Sequence, residues 1–343
     1  MDQVARLEPQ DRSDLFRAAA ESRGLTAGII EKDFWVCWML RRIYTLTQLP
    51  AQIHFKGGTS LAKVFGVIER MSEDVDLVID RTDLGFTDAK NPATPGLSNK
   101  ARQRLVEEIK TSARDFVRDE LRPALDPACA EALGVAASST TWETTFADDD
   151  ADDQTILFRY PTIEQPPKYL RAVVRLELGA RGNPWPSVKG SIRPYAADLF
   201  PDQFDKPDTE LPLVVSAERT FWDKATILHR LHHHPKNKRL GPRMARHYYD
   251  LFRLAQHDLG RKALADTNLL AEVVEHTSLF FPRVWARYDL AKPGSLRLTP
   301  PDYLLGQLRD DYNEMASEMM FGGVPEFDSV IEGLKVIETS VNA

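Results

Sequence analysis

The chain has 343 residues, more than one ordinary domain of ~100–200 residues, which makes two packed lobes the starting expectation and leaves one large α/β domain open. Hydrophobic residues at 43% and charged residues at 28% exclude wholesale disorder, a collagen-like fibre and a membrane bundle. Forty-four Lys plus Arg against 51 Asp plus Glu leave a net charge of −7, which argues against a protein whose main task is to coat nucleic acid.

The chain opens MDQVARLEPQDR, charged from its second residue and without the apolar core of a signal peptide. Residues 10–46 read as helical: Gly24 fits the C-cap of one helix, and Thr26 fits the N-cap of a second that is rich in Ile30, Phe34, Trp35 and Trp38. Its run from Phe34 to Leu40 lies between Asp33 and Arg41, far short of the ~20 residues that span a bilayer, and reads as a buried helix. Two cysteines, Cys37 and Cys129, form no CxxC pair and suit a reducing compartment, so a cytoplasmic protein without a membrane partner is expected.

The period then changes to strand for Ile53-His54-Phe55, turn for Lys56-Gly57-Gly58, helix from Thr59 to Phe65, and strand for Val75–Ile79. A Pro/Gly-rich loop at 91–96 precedes a charged helix near 98–120. Strands are expected at Ser138–Phe146, Gln154–Tyr160, Ala172–Leu178 and Ser187–Arg193. The polar, Pro-bearing stretch 200–215 reads as a boundary. From Val215 the pattern is helical, near 216–231, 243–257, 261–277, 301–319 and 325–340. An α+β lobe over 1–210 and a helical lobe over 211–343 follow.

Two features carry chemistry. Val75, Leu77 and Ile79 alternate onto the core face of their strand, which places Asp74 and Asp76 together on the other. Two carboxylates one pleat apart start ~6–7 Å from each other and can converge on divalent cations. Hard oxygen donors suit Mg²⁺ or Mn²⁺, which share substrate phosphates, so the pair implies a metal–nucleotide. Gly57-Gly58 lets the backbone approach a ligand, and the helix N-terminus that follows, with the hydroxyls of Thr59 and Ser60, reads as an anion site. Neither GxxxxGK[ST] nor GxGxxG is present. Either feature alone is an ordinary turn or a solvated strand end; their order within twenty residues favours function.

In FKGGTSLAKVFGVIERMSEDVDLVI, the elements Gly57-Gly58-Thr59 and Asp74-Val75-Asp76 resemble the nucleotidyltransferase signature of the DNA polymerase β-like superfamily, and most closely the AbiEii/AbiGii toxins, including the MenT type. The family's upstream Glu-Lys-Asp stands here as Glu31-Lys32-Asp33. The resemblance implies a minimal nucleotidyltransferase sheet core with a C-terminal helical lobe. It also implies Mg²⁺ or Mn²⁺ on Asp74 and Asp76, and an NTP substrate. Its phosphates would be bound by Lys56, Gly57, Gly58, Thr59, Ser60 and Ser72. Polymerase β-like sites commonly take a third carboxylate from a later strand, and Glu177 is the candidate, although an exposed sheet face explains it as well.

Lys224 falls on the apolar stripe of its helix beside Phe221, Ile227 and Leu228 and needs an anion there; a snorkelling lysine or a structural ion pair are the plain readings. The family carries an essential lysine after the sheet, followed by Arg-Asp/His-x-x-Asp. Arg246-His247-Tyr248-Tyr249-Asp250 fits this, with His247 where many relatives have Asp. The resemblance thus assigns Lys224 and Asp250 to catalysis and Arg246 to the nucleotide. It implies transfer of NMP to the 3′ end of tRNA in a type IV-like toxin–antitoxin system, with an AbiEi-type antitoxin encoded nearby. Transfer to a protein hydroxyl, including that of Ser72, and a non-catalytic nucleotide-binding module are the alternatives.

Other features are set aside. His232-His233-His234 cannot share one helix face and precedes Pro235. Asp148–Asp153 lacks the glycine and glutamate of an EF-hand and reads as a solvated hairpin tip. Tyr312, Met315, Met319 and Met320 read as core. The charge of −7 hides an asymmetry: residues 141–153 carry a net −6 and residues 219–247 a net +7.

Overall fold

The computed structural model describes residues 1–138, 140–164 and 171–343; residue 139, inside the predicted strand Ser138–Phe146, lies outside them. Contacts divide the chain into unit 1, made of Met1–Val64 and Met71–Val214, and unit 2, made of Phe65–Arg70 and Val215–Ala343.

Unit 1 starts with α1 (Asp2–Ala5), α2 (Pro9–Arg23) and α3 (Ala27–Thr45). Gly24 takes φ 64° at the C-cap of α2, and Thr26 caps α3 by accepting from the Ile29 amide. Every residue of α3 from Gly28 to Leu40 is buried. Trp35 stacks on Tyr160 and Trp38 on Phe158, with ring centroids 5.6 and 5.5 Å apart. A helix enclosed on all sides leaves its charged residues no water, so each of Glu31, Lys32 and Asp33 has to find a partner inside the protein.

The sheet has seven strands: β1 (Ile53–Lys56), β2 (Asp74–Ile79), β3 (Glu143–Phe146), β4 (Thr155–Arg159), β5 (Val173–Gly179), β6 (Ser187–Ile192) and β7 (Thr209–Val215), in the order β3-β4-β5-β2-β1-β7-β6. Between them lie α4 (Gly57–Lys63), α5 (Asn99–Phe116), α6 (Arg122–Leu133) and α7 (Tyr195–Leu199). β2 is central: it runs antiparallel to β1 and parallel to β5. Three expectations need correction. The glycines are the first turn of α4 rather than a turn before it. The helix predicted to end near 120 continues through a π turn at Val117–Leu121 into α6, where Pro123 stands in the first turn and Pro127 inside. Prolines normally signal a stop, which is why the continuation was hidden. The stretch 200–215 is not all linker, since Thr209–Val215 is β7, parallel to β1 with Val214 opposite Phe55. Pro212 interrupts the alternation that would have marked it.

Unit 2 is helical: α8 (Ala217–His232), α9 (Ala245–Gln256), α10 (Asp258–Ala265), α11 (Thr267–Phe280), α12 (Asp302–Met319) and α13 (Phe327–Asn342). The helix expected over 261–277 is two, because Asp266 caps α11 by accepting from the Leu269 amide at 3.0 Å. Trp222 of α8 then donates its indole N–H to the carbonyls of Ala263 and Asp266, tying the break to α8. Tyr312, Met315 and Met319 are buried as expected, whereas Met320, just past the end of α12, is only partly buried. Among the described residues no helix is long and apolar enough to cross a membrane.

Candidate active site

Asp74 and Asp76 stand on β2 with partly exposed side chains, while Val75 and Leu77 between and beyond them are buried. The strand alternation therefore delivers both carboxylates to one face. β1 pairs with β2 so that Lys56 lies opposite Asp76, and the next residue, Gly57, takes φ 84°. A Cβ built on Gly57 would lie 2.0 Å from Asp76 Oδ2. Only glycine allows the loop to pass this close to the carboxylate, and only glycine takes this backbone conformation without strain. Sequence reasoning gave Gly57 to the phosphates; the structure adds Asp76 as an immediate neighbour.

Thr59 and Ser60 are both buried. Thr59 donates to the Asp74 carbonyl at 2.5 Å and to the Ser72 carbonyl at 3.4 Å, and Ser60 donates to the Gly57 carbonyl at 3.0 Å. Both hydroxyls are thus used inside the protein, one stapling α4 to the start of β2 and the other holding the glycine turn.

The next strand completes the face. β5 places Arg175 opposite Asp74 and Glu177 opposite Asp76. Arg175 Nε donates to Glu177 Oε1 at 2.8 Å, and its Nη1 donates to Asp149 Oδ1 at 2.8 Å. Burial, then the charges of Asp76 and Asp74, push the Glu177 carboxyl up from its ordinary range. Among the described residues no three His, Cys, Asp or Glu side chains are grouped as a metal cage. A hard cation that takes one or two carboxylates and keeps its remaining positions for water and phosphate fits this arrangement better than a caged one.

In unit 2, Asp250 of α9 is fully buried and accepts from two cations. Arg70 grips it with both ends of its fork, Nε to Oδ1 at 2.7 Å and Nη2 to Oδ2 at 2.8 Å, and Lys224 of α8 donates to Oδ2 at 2.7 Å. Burial alone would raise the Asp250 carboxyl; the two cations outweigh it and hold the group below the usual carboxylate range. Lys224 lies on the buried face of α8, as the apolar stripe predicts, and its anion is Asp250. His247, one turn before, is driven well below its ordinary value by burial, Lys224 and Arg246. Arg70 escaped sequence reasoning, because its partner is 180 residues away and no spacing marks it. Its segment Phe65–Arg70 joins α4 to β2 and is fastened within unit 2: Glu69 accepts at its carbonyl from Phe321 N at 3.0 Å, and its carboxylate pairs with Arg253 at 3.0 Å.

A family model described as "Nucleotidyl transferase AbiEii toxin, Type IV TA system" matches residues 38–333. The chain belongs to this family. It is a nucleotidyltransferase of the AbiEii toxins, as the motif resemblance implied. No curated protein matches it. Among solved structures it is similar to MenT4, the nucleotidyltransferase toxin Rv2826c from Mycobacterium tuberculosis H37Rv, at 15% identity and a TM-score of 0.52, over 96% of this chain and 89% of that one. At such low identity the likeness establishes the shared mixed α+β fold.

The Glu-Lys-Asp that this AbiEii chain carries in α3 acts as three buried staples. Glu31 accepts from the amides of Ile163 and Glu164 at 3.1 and 3.0 Å. Lys32 donates to the carbonyls of Arg171 and Val173 at the head of β5. Asp33 accepts from the Tyr195 amide at 2.6 Å and pairs with Lys63 of α4 at 2.6 Å, with the ammonium 3.6 Å from the Tyr195 ring centroid. Lys32 thus fixes the head of β5, Asp33 fixes α4, and Glu31 fixes the stretch that follows β4.

The remaining polar clusters resolve as structure. His232 ends α8 and its Nδ1 donates to the Thr299 carbonyl at 2.7 Å, so the His run holds no metal geometry. The acidic turn at 148–153 is more than a solvated tip. Asp149 pairs with Arg175, Asp152 with Lys110 at 2.8 Å and Arg181 at 2.9 Å, and Asp150 accepts from Thr155, Asp152 N and Gln154 N. The cations that neutralise it come from α5 and from β5 with the residues just after it, which no local pattern shows.

Proposed function

We propose that the protein transfers a nucleoside monophosphate from an NTP to the 3′-hydroxyl of tRNA. The observation that carries this reading is the approach of Asp76 to the Gly57 backbone within a face that also holds Asp74, Lys56, Arg175 and Glu177. The acceptor oxygen attacks the α-phosphorus, a new P–O bond forms, the bond to the bridging oxygen breaks, and pyrophosphate leaves.

Asp74 and Asp76 would hold the divalent cation, Mg²⁺ or Mn²⁺, which when bound would neutralise phosphate charge and make the hydroxyl more acidic. Gly57 and Gly58 let main-chain amides approach the triphosphate, with Lys56 and Ser72 at the rims of the loop. Thr59 and Ser60 serve by fixing the loop. Lys224, Asp250 and Arg246 are required for transfer; the support is the buried cation pair on one carboxylate and the motif resemblance. The net +7 of residues 219–247 and the resemblance to MenT-type toxins favour a polyanionic acceptor. As a type IV toxin the protein is countered by an antitoxin, which we take to be of the AbiEi type and encoded nearby, and the reaction takes place in the cytoplasm.

Periodate-oxidised tRNA tests the acceptor atom. Its 3′ ribose has no hydroxyl left to attack, so it must take no label from an α-labelled NTP that labels untreated tRNA. Equal labelling of both would move the acceptor elsewhere.

A further inference from the structure

We propose that Arg175 binds the triphosphate of the nucleotide and that Asp149 is a built-in competitor, occupying the guanidinium until a phosphate displaces it. The proposal rests on the reading of unit 1 as a nucleotidyltransferase site. Strand register fixes the geometry: Arg175 and Glu177 on β5, Asp74 and Asp76 on β2, and Lys56 on β1 fall on one face of three adjacent strands. Arg175 is thus the cation on the far side of the aspartate pair from Lys56, where an anion lying along the pair would find it. Arginine presents a planar fork of donors that matches phosphate oxygens two at a time, which a lysine does not.

Its two partners differ. Glu177 is two residues away on the same strand and moves with it. Asp149 comes from the turn between β3 and β4, and its side chain is 61% exposed, against 20% for Arg175. An ion pair with a partner so exposed contributes little net stability and exchanges readily. The turn does not need the contact to keep its shape. Asp150 organises it by accepting from Asp152 N, Gln154 N and Thr155 Oγ1, and Asp152 anchors it to Lys110 and Arg181. Asp149 is therefore free to leave Arg175 while the turn stays in place. A carboxylate carries one charge and a triphosphate several, so the competitor rejects weakly charged anions more effectively than it rejects an NTP.

The test is a titration of full-length protein with each of the four NTPs and Mg²⁺, without acceptor, comparing wild type, Asp149→Asn and Asp148→Asn. Asp148 is an exposed neighbour with the same charge and serves as the control for a change in overall field. The expected result is a Kd about twofold to fivefold lower for Asp149→Asn, the range of one exposed ion pair, with Asp148→Asn unchanged. In an Arg175→Gln or Arg175→Lys background the gain should shrink or vanish; the lysine variant keeps the charge if the glutamine variant fails to fold. Asp149→Asn binding like wild type, Asp148→Asn tightening equally, or a gain that persists without Arg175 would each overturn the inference while leaving the function intact. Wild-type protein that binds none of the four NTPs would instead remove the nucleotidyltransferase reading, and the inference with it.

Discussion

Asp250 holds two cations on one buried carboxylate, and the consequences of removing each member differ. Asp250→Asn removes the buried charge that both Arg70 and Lys224 bond and is expected to cost about 3–5 kcal/mol. Lys224→Met leaves the two-point Arg70–Asp250 pair in place and should cost well under that while still abolishing transfer; thermal melts beside a labelling assay separate the two effects. The pH dependence follows from the depressed Asp250 carboxyl. Its folded value lies below its unfolded value of ~3.9, so its contribution is fully present above that value and is lost as pH falls through the folded one. The stability gap between wild type and Asp250→Asn should therefore narrow from pH 7 to pH 3. Gly57→Ala makes a different prediction: a Cβ 2.0 Å from Asp76 Oδ2 at φ 84° displaces the carboxylate. Transfer should fall at least about a hundredfold, the cost of misplacing a reacting group by ~1 Å, and a normal rate in this variant would show that Asp76 tolerates the shift. Of these residues Gly57 and Asp76 were readable as candidates because each stands in a local pattern, and Lys224 and Asp250 because theirs resembles the family's. Arg70 and Arg175 were not, because what marks them is a partner supplied by tertiary structure.

At the scale of elements, the site stands on α4, β2 and β5, and α3 holds α4 through Asp33 and the head of β5 through Lys32. Lys63→Met would leave the buried Asp33 carboxylate with the Tyr195 amide but without its cation, with an expected loss of about 3–5 kcal/mol. A loss below about 1 kcal/mol in a chemical denaturation series would contradict a role for this pair in anchoring α4. The strand–glycine–helix–strand frame was readable from alternation and glycine placement, and so were the caps of α2 and α3. What escaped was obscured by particular residues: Pro212 within β7, Pro123 and Pro127 within α6, and Asp266 dividing α10 from α11. In each case tertiary packing overrode a local breaker, or a local cap split a continuous apolar pattern.

For the whole molecule, the net charge of −7 conceals an acidic turn neutralised inside unit 1 and a basic stretch over residues 219–247 in unit 2. If that stretch meets a phosphate backbone, tRNA labelling should fall steeply between 50 and 200 mM salt, roughly tenfold or more. Labelling that is insensitive to salt would disconnect the stretch from the acceptor. The family, the fold and the enzyme class were legible in the motif, because a glycine turn and an alternating aspartate pair have few other uses in that order; the acceptor has no such local signature. The account stands most directly on one measurement: purified protein, Mg²⁺ and total tRNA incubated with each NTP, labelled either at the α- or at the γ-phosphate. The account predicts label on tRNA from at least one α-labelled NTP, none from the γ-labelled form, and none from either with Asp76→Ala. Label arriving from the γ-position, or no label from any of the four α-labelled nucleotides, would contradict it.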